Sequence, residues 1–597
     1  MSADRVRAAR YTTYPLDRQR SLLYSSETGR VEIVDHAWRW VLGHVQGFRE
    51  LDRHAQVVLQ ALPVDGTVDV REGLAALARA GLLRSTSGLE SPALEGRTPV
   101  TTIAVITADR PAYLRRSLDA IVRHCETFGH RPRLIVIDGS RQAAKRTATR
   151  TSVTTFARST GRTVQYVGAR EAADLHRVLA GRGLHVPLLR PGVIGVNRNI
   201  LLLLTAGEHV LSFDDDVICR PWDLGGADAG LIISGHHQGQ RENGWFRTRA
   251  EALAATTPSA VDLVAAHGVL LGRSLAQVAA SFPSPPDLQH ACQHLFALPD
   301  GSHPTVRVTF MGLAGDVGTY CPHRVLFNPT ARPRFWADEA AFRIWTASRE
   351  ILRVSRSTVV THDCGCLAPS IGLANSTMLP PFAPIARNED GVFGTLLSCC
   401  DRTAVFGHLP IGIVHDSPRA SRRSEPAMQS ARESRVSELL IALIERVTSA
   451  GVNVSPATRL RRMGEAFGDL ADLAPADLVE LVTETTLHRR SRELEEAGRA
   501  AEVPECPAYW RRELDQYRAT FLKQVRRRDF FLPVEFHGRG STEAGYRRLQ
   551  AFFRDFGTWL TEWPTLWDAA RDMNASRDRR VSRDRAKGTT RSRAATT

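Results

Sequence analysis

Lysine is nearly missing from this 597-residue chain: Lys145, Lys523 and Lys587 are the only three among 78 basic residues. So one-sided a use of arginine reads as a coding bias of a GC-rich genome, and it weakens the case for a phosphate-binding surface that a net charge of +14 would otherwise make. The basic tail at 575–597 holds much of that excess. Cysteine is also sparse. Nine in a chain of this length exclude a disulfide scaffold. No apolar run approaches the roughly 18 residues of a membrane span, and "MSADRVRAARYTTYP" lacks the apolar centre of a signal peptide. The expectation is a cytoplasmic protein with no membrane span, with 43% hydrophobic residues to fill several cores.

What is present divides the chain. Residues 1–90 read as a small unit. "SLLYSSETGRVEIVD" predicts two strands around a turn at Glu27-Thr28-Gly29, followed by amphipathic helices in "HAWRWVLGHVQGF", "LDRHAQVVLQAL" and "REGLAALARAGLL". A small, polar, Pro- and Gly-containing linker covers 91–98. From 99 the pattern changes. "VTTIAVIT", "RLIVID", "TVQYV" and "HVLSF" read as buried strands. Pro111 opens a helix, and "GVIGVNRNILLLLTAG" reads as a turn and another helix. Such alternation predicts an α/β fold with a mostly parallel sheet covered on both faces. Ligands bind such sheets beyond the carboxyl ends of the strands. Residues 426–574 are helical by pattern, and 575–597 lack apolar periodicity and read as disordered.

The fourth strand runs into Asp214, Asp215 and Asp216 in "LSFDDDV". Adjacent carboxylates repel and need neutralising. A hard divalent cation, Mg²⁺ or Mn²⁺, suits them, and it can hold a diphosphate as leaving group. A solvated turn is the simpler explanation for a bare triplet.

The surrounding segments strengthen the metal explanation. "IAVITADRPAYLRRSLDAI", "LIVIDGS", "GVIGVNRN", "LSFDDDV", "RNEDGVFG" and "IVHDSP" resemble, in order, motifs of the family 2 glycosyltransferases with their GT-A fold. The resemblance spans 99–418, about half the chain. It implies a glycosyltransferase that moves a sugar from a nucleotide-diphosphate donor to an acceptor hydroxyl, inverting and Mg²⁺- or Mn²⁺-dependent. It also implies the site residues. Thr107 and Arg110 border the nucleotide pocket. Asp138 accepts from the base or ribose. Arg198 and Asn199 hold the nucleotide end, with Asp214 and Asp215 near the donor. Asp214, Asp216 and His415 hold the metal. Asp390, with Glu389 second, is the base that takes the acceptor proton, and both also suit a helix N-terminus. Asp390 lies much farther from Asp216 than compact members of the family suggest, so an insertion is expected at 220–380, where Asp316 is a rival acid.

Two other enzyme and non-enzyme classes compete. A nucleotidyltransferase of related fold would open on a Gly-rich loop, and "TADRPAYL" has no glycine. A non-catalytic peptide- or protein-binding scaffold would not need its acids intact. The 1–90 unit resembles small winged-helix domains that recognise peptides, so residues 20–84 are a candidate dock for a peptide or protein acceptor. With one arginine and two tryptophans, "HAWRWVLGHVQGF" does not read as a DNA-recognition helix. "THDCGC" and Cys399-Cys400 lack the spacing of zinc knuckles, and buried thiols are expected there.

Overall fold

The computed structural model describes residues 5–9, 11–25, 30–61, 69–86, 99–185, 187, 189–226, 230–235, 241–288, 291, 303–316, 326, 332–366, 368–418, 431–447, 454–527, 530–538 and 540–594. The expected turn at 27–29 and the linker at 91–98 lie outside them.

The N-terminal unit contains β1 (Val6–Ala8), β2 (Thr12–Pro15), β3 (Arg20–Tyr24), β4 (Val31–Asp35), α1 (His36–His44), α2 (Leu51–Ala61), α3 (Val70–Arg79) and β5 (Leu83–Ser85). β2, β3 and β4 form an antiparallel sheet, and β1 pairs with β5. The two-residue period of a strand sends Leu23 and Val34 inward, where they meet Leu42, Val58 and Leu74. The opposite face leaves Tyr14, Tyr24, Val31 and Ile33 exposed, Ile33 by 57%. Phe48 packs away from this core, beside Leu231, Ile233 and Leu270 of the large domain.

The large domain opens with β6 (Val100–Thr107), α4 (Pro111–Thr127), β7 (Arg133–Asp138), α5 (Ala143–Thr160), β8 (Val164–Val167), α6 (Ala169–Ala180), α7 (Ile194–Leu204) and β9 (Glu208–Asp214). β8, β7, β6 and β9 are mutually parallel neighbours. Both faces are covered, which explains the unbroken apolar runs. Ile103 and Val105 pack with Leu114, Leu118 and Ile121 of α4 on one side, and Ala104 and Ile106 pack with Ile200 and Leu203 of α7 on the other.

Next come β10 (Val217–Asp223), β11 (Leu231–Ser234), β12 (Arg241–Phe246), α8 (Arg249–Ala254), β13 (Thr257–Pro258), α9 (Leu263–Leu270), α10 (Leu275–Ala279), β14 (Thr305–Asp316), α11 (Arg332–Ala337), α12 (Glu339–Ala347), β15 (Glu350–Ser355), β16 (Thr358–Thr361), β17 (Ser370–Asn375), α13 (Glu389–Cys400) and β18 (Ala404–His415). They extend one sheet in the order β11-β16-β18-β14-β17-β9-β6-β7-β8. The stretch 220–380, expected to hold an insertion, supplies β14 and β17 at the middle of the sheet. One expectation is corrected here: the sheet is mixed, not mostly parallel. β17 runs antiparallel to both β9 and β14, and β10, β15 and β16 add further antiparallel pairs.

One consequence positions the site. Because β17 opposes both of its neighbours, β14 runs in the direction of β9, and β18 is parallel to β14. Thus β6, β7, β9, β14 and β18 all end at the same edge, on Thr107, Asp138, Asp214, Asp316 and His415.

The C-terminal helices are α14 (Val436–Val447), α15 (Pro456–Ala471), α16 (Pro475–Glu502), α17 (Ala508–Gln524) and α18 (Thr542–Ala594). α15 meets α18 at a glycine contact: a Cβ on Gly464 would lie 2.6 Å from Gly557 O, and one on Gly557 2.7 Å from Gly464 O. α18 braces the sheet and α7 from below. Trp563 Nε1 donates to Leu379 O (2.6 Å), Trp567 Nε1 to Asn375 Oδ1 (2.8 Å) and Asn574 Nδ2 to Leu203 O (3.1 Å). The tail at 575–597, expected to be disordered, continues α18 as helix to Ala594. Arginine and alanine are strong helix formers and sustain it without an apolar stripe.

Candidate active site

β9 ends at Asp214, and Asp215 and Asp216 turn the chain into β10. The Asp214 N–H donates to Pro369 O at 2.9 Å and the Asp215 N–H to Ile106 O at 3.1 Å, which pins the turn between β17 and β6. The three carboxylates share three cationic partners. Asp214 Oδ1 accepts from Arg198 Nη2 at 3.0 Å. Asp215 meets Arg110 Nη2 at 2.6 Å and accepts from the Thr107 hydroxyl at 2.6 Å. Asp216 accepts from Arg110 Nη1 at 2.6 Å and faces His415 Nε2 at 3.1 Å.

Arg198 joins the triplet to the acidic pair of α13. It is 2% exposed, its Nε donates to Glu389 Oε1 at 3.1 Å and its Nη2 to Ala368 O at 3.2 Å, while its Nη1 has no partner among the described residues. Glu389 and Asp390 open α13, where carboxylates favour the helix dipole. Glu389 is buried. Asp390 is half-buried and accepts from the Ala368 and Gly391 N–H groups at 3.0 and 2.9 Å. Among the described residues two non-glycine residues have left-handed backbone, Asp109 (φ 60°) and Asn388 (φ 58°), and each immediately precedes a site residue, Arg110 and Glu389. Backbone strain of this kind concentrates at functional sites.

His415 is oriented from behind by the Asp316 carbonyl, 2.6 Å from its Nδ1. The chains approach closely there: Gly315 has φ 122°, and a Cβ on it would lie 2.2 Å from His415 O.

Not every expected residue faces a ligand. Asn199 is buried with its amide spent on the Phe382 backbone, donating to O at 2.9 Å and accepting from N–H at 2.7 Å, so it holds α7 to the chain beyond β17 instead of a nucleotide. Asp138 is buried with both oxygens engaged internally, by the Ser140 N–H at 2.9 Å and the Tyr166 hydroxyl at 2.6 Å. Thr107 and Asp215 are buried against each other. The rival acid Asp316 is buried and held by Arg349 at 2.7 Å, and its contribution is the carbonyl under His415. Unforeseen residues complete the surroundings. Asp416 is gripped by Arg116 and Arg249, and Arg249 also binds Glu350 at 2.6 Å. Asp416 had a signal, since it follows His415 directly. The arginines had none.

Burial dominates the electrostatics. It pushes Asp215 up to about 7 against the pull of Arg110, and Glu389 up to about 8 with help from Asp390, against Arg198. Burial also raises Asp214. Asp216 goes the other way: burial opposes its ionisation, but His415 and Arg110 outweigh that and hold it well below the carboxylate range. His415, despite burial, is raised to about 9 by Asp216. A histidine raised from 6.5 to about 9 adds stability that is complete below pH 6.5 and lost as the pH rises through 9. Asp215 and Glu389, raised above their ordinary 3.8 and 4.5, also lose stability as they ionise with rising pH. The melting temperature should therefore fall from pH 6.5 to 9.5, and His415→Gln should flatten the limb above pH 8. Calorimetry across that range checks it, and a wild-type Tm independent of pH would contradict it.

Among the described residues no group of three or more His, Cys, Asp or Glu side chains is placed to hold a metal ion. Asp216 and His415 do suit two positions. Their 3.1 Å separation is close to that of neighbouring ligands each about 2.1 Å from an octahedral cation, and the carbonyl at Nδ1 is the outer contact that orients a ligating imidazole. Asp214, expected as a third ligand, has Oδ1 committed to Arg198. Near "THDCGC", Cys366 and Cys400 are buried and burial raises their thiols.

No protein-family model matches the chain, and no curated protein is significantly similar to it. Among the described residues no helix is long and apolar enough to cross a membrane.

Proposed function

We propose that this protein is a glycosyltransferase with a GT-A-like core that transfers a sugar from a nucleotide-diphosphate donor to an acceptor hydroxyl. One observation carries the proposal. Residues from five separated stretches, Arg110, Arg198, Asp214–Asp216, Glu389–Asp390 and His415, join one polar network where co-directional strands end. That edge is where α/β sheets bind ligands.

In this scheme Asp390 is the base. Its carboxylate takes the acceptor's proton while the acceptor oxygen bonds the anomeric carbon and the bond from that carbon to the diphosphate breaks. Glu389, buried and ion-paired, is less suited to that exchange. Arg110, 34% exposed at its side chain, borders the donor diphosphate. Asp216 and His415 would hold Mg²⁺ or Mn²⁺, which supplies charge neutralisation for the departing diphosphate. The N-terminal unit, winged-helix-like in this proposal, would dock a peptide or protein acceptor. The exposed apolar face of β2, β3 and β4, and the edge of β2, unpaired among the described residues, support that role.

A screen of nucleotide sugars for Mn²⁺-dependent hydrolysis tests the proposal. Release of free sugar and nucleoside diphosphate from one donor, with water in the acceptor's place, is the expected result, and Asp390→Asn should lower it. Release of diphosphate from nucleoside triphosphates instead would indicate a nucleotidyltransferase. Turnover of neither would leave a binding scaffold.

A further inference from the structure

A narrow cavity of about 40 Å³ lies between β14, β15 and β18, close behind His415. It exists because the sheet opens there. Phe310 pairs with His408 and Gly312 with Gly412, so β18 spends two more residues than β14 between the same two pairings. Bulges of this kind redirect side chains beside functional sites. Arg353, Ser355, Gly365, Ser370, His408 and His415 supply its polar lining.

Two of these groups lack side-chain partners among the described residues. Ser370 is 6% exposed, and its hydroxyl makes no hydrogen bond there. Arg353 is half-buried, its guanidinium makes no hydrogen bond or ion pair among the described residues, and the carboxylate acting on it is Asp363. Burial lowers its guanidinium to about 10, so it stays charged at neutral pH. Across the cavity His408, stacked on Phe310 at 5.0 Å, is kept neutral by burial and by the Arg353 charge. A half-buried cation without a counter-charge and a buried hydroxyl without a partner are both unfavourable. One ligand would relieve both.

We infer that this cavity is an anion-binding pocket that takes a compact oxyanion, a carboxylate or a phosphate. The Arg353 fork matches two oxygens of either group, and the Ser370 hydroxyl donates to a third position or to the same oxygen. The pocket adjoins the proposed transfer site through His415 and through Pro369, whose carbonyl is bonded to Asp214. The anion is therefore either a free ion or an acidic group carried by a substrate. The pocket itself does not depend on the proposed function.

Thermal unfolding of the full chain in phosphate or acetate, against chloride at equal ionic strength, tests the inference. The wild-type Tm should rise with millimolar phosphate or acetate, and Arg353→Gln should weaken the apparent affinity at least tenfold. Phosphate preference would point to a phosphorylated ligand, and acetate preference to a carboxylate. Arg353→Lys should recover part of the effect. If Arg353→Gln fails to fold, selenate soaked into wild-type crystals should give an anomalous peak in the cavity. Equal stabilisation of wild type and variant, no anion-specific effect in wild type, or an empty cavity after the soak would each overturn it. UDP and GDP titrations on the same samples separate this outcome from failure of the transferase proposal.

Discussion

Arg198→Met should cost about 3–5 kcal/mol of stability, the largest effect of any single substitution considered for this fold. The side chain is almost fully buried and satisfies Asp214 on one side and Glu389 on the other. Removing it leaves two carboxylates facing each other in a low-dielectric interior with no cation between them. Both would protonate or pull in water, and α7 and α13 would lose the bond that spans 191 residues of sequence. Adding Glu389→Gln to Arg198→Met should return part of the loss, because one of the two stranded acids is gone. Urea unfolding of the three proteins measures this. A single variant that unfolds at the wild-type midpoint would show that the arginine is not bridging the two acids.

Asp216→Asn should lower transfer by at least about a hundredfold, the scale of losing one charge that acts on the reacting groups. The substitution keeps the shape and leaves the turn's backbone bonds in place. It removes the charge that holds His415 protonated and that would face a cation. Far-UV circular dichroism should be unchanged. The His415 pKa should fall toward its ordinary 6.5, which proton NMR of the imidazole reads directly. Retained transfer with a shifted histidine would make Asp216 an electrostatic neighbour only.

How much of this could be seen in the sequence depends on the range of the contacts involved. "VTTIAVIT" and "RLIVID" are unbroken apolar runs because both faces of β6 and β7 are covered, and Pro111 stands at the first position of α4. Those elements follow from local pattern. Residues 220–380 resisted because their partners are distant: Thr305 pairs with Ala404, and Ser370 with Phe213. A strand buried on both faces with a remote partner has no period to read, so local pattern does not show that these residues join the sheet. The site divides in the same way. Arg110, Arg198, Asp216, Glu389 and His415 lie in recognisable stretches and do converge. Asp138 and Asn199 lie in equally recognisable stretches, but Tyr166 and the Phe382 backbone have engaged their polar atoms. Nothing in either stretch shows that a distant residue will do so.

The triplet "DDD" is where local and distant information meet. The sequence suggests a cation among three aspartates. The structure adds Arg110 and Arg198, which neutralise Asp215 and Asp214, shares Arg110 with Asp216, and leaves Asp216 facing His415. We propose that this place binds a nucleoside diphosphate with a divalent cation at Asp216 and His415. Isothermal titration with UDP and GDP, with and without Mn²⁺, measures this. One nucleotide should bind at least tenfold more tightly with Mn²⁺, and Asp216→Asn should remove that difference. Absence of binding by either nucleotide, with or without the metal, would contradict the account.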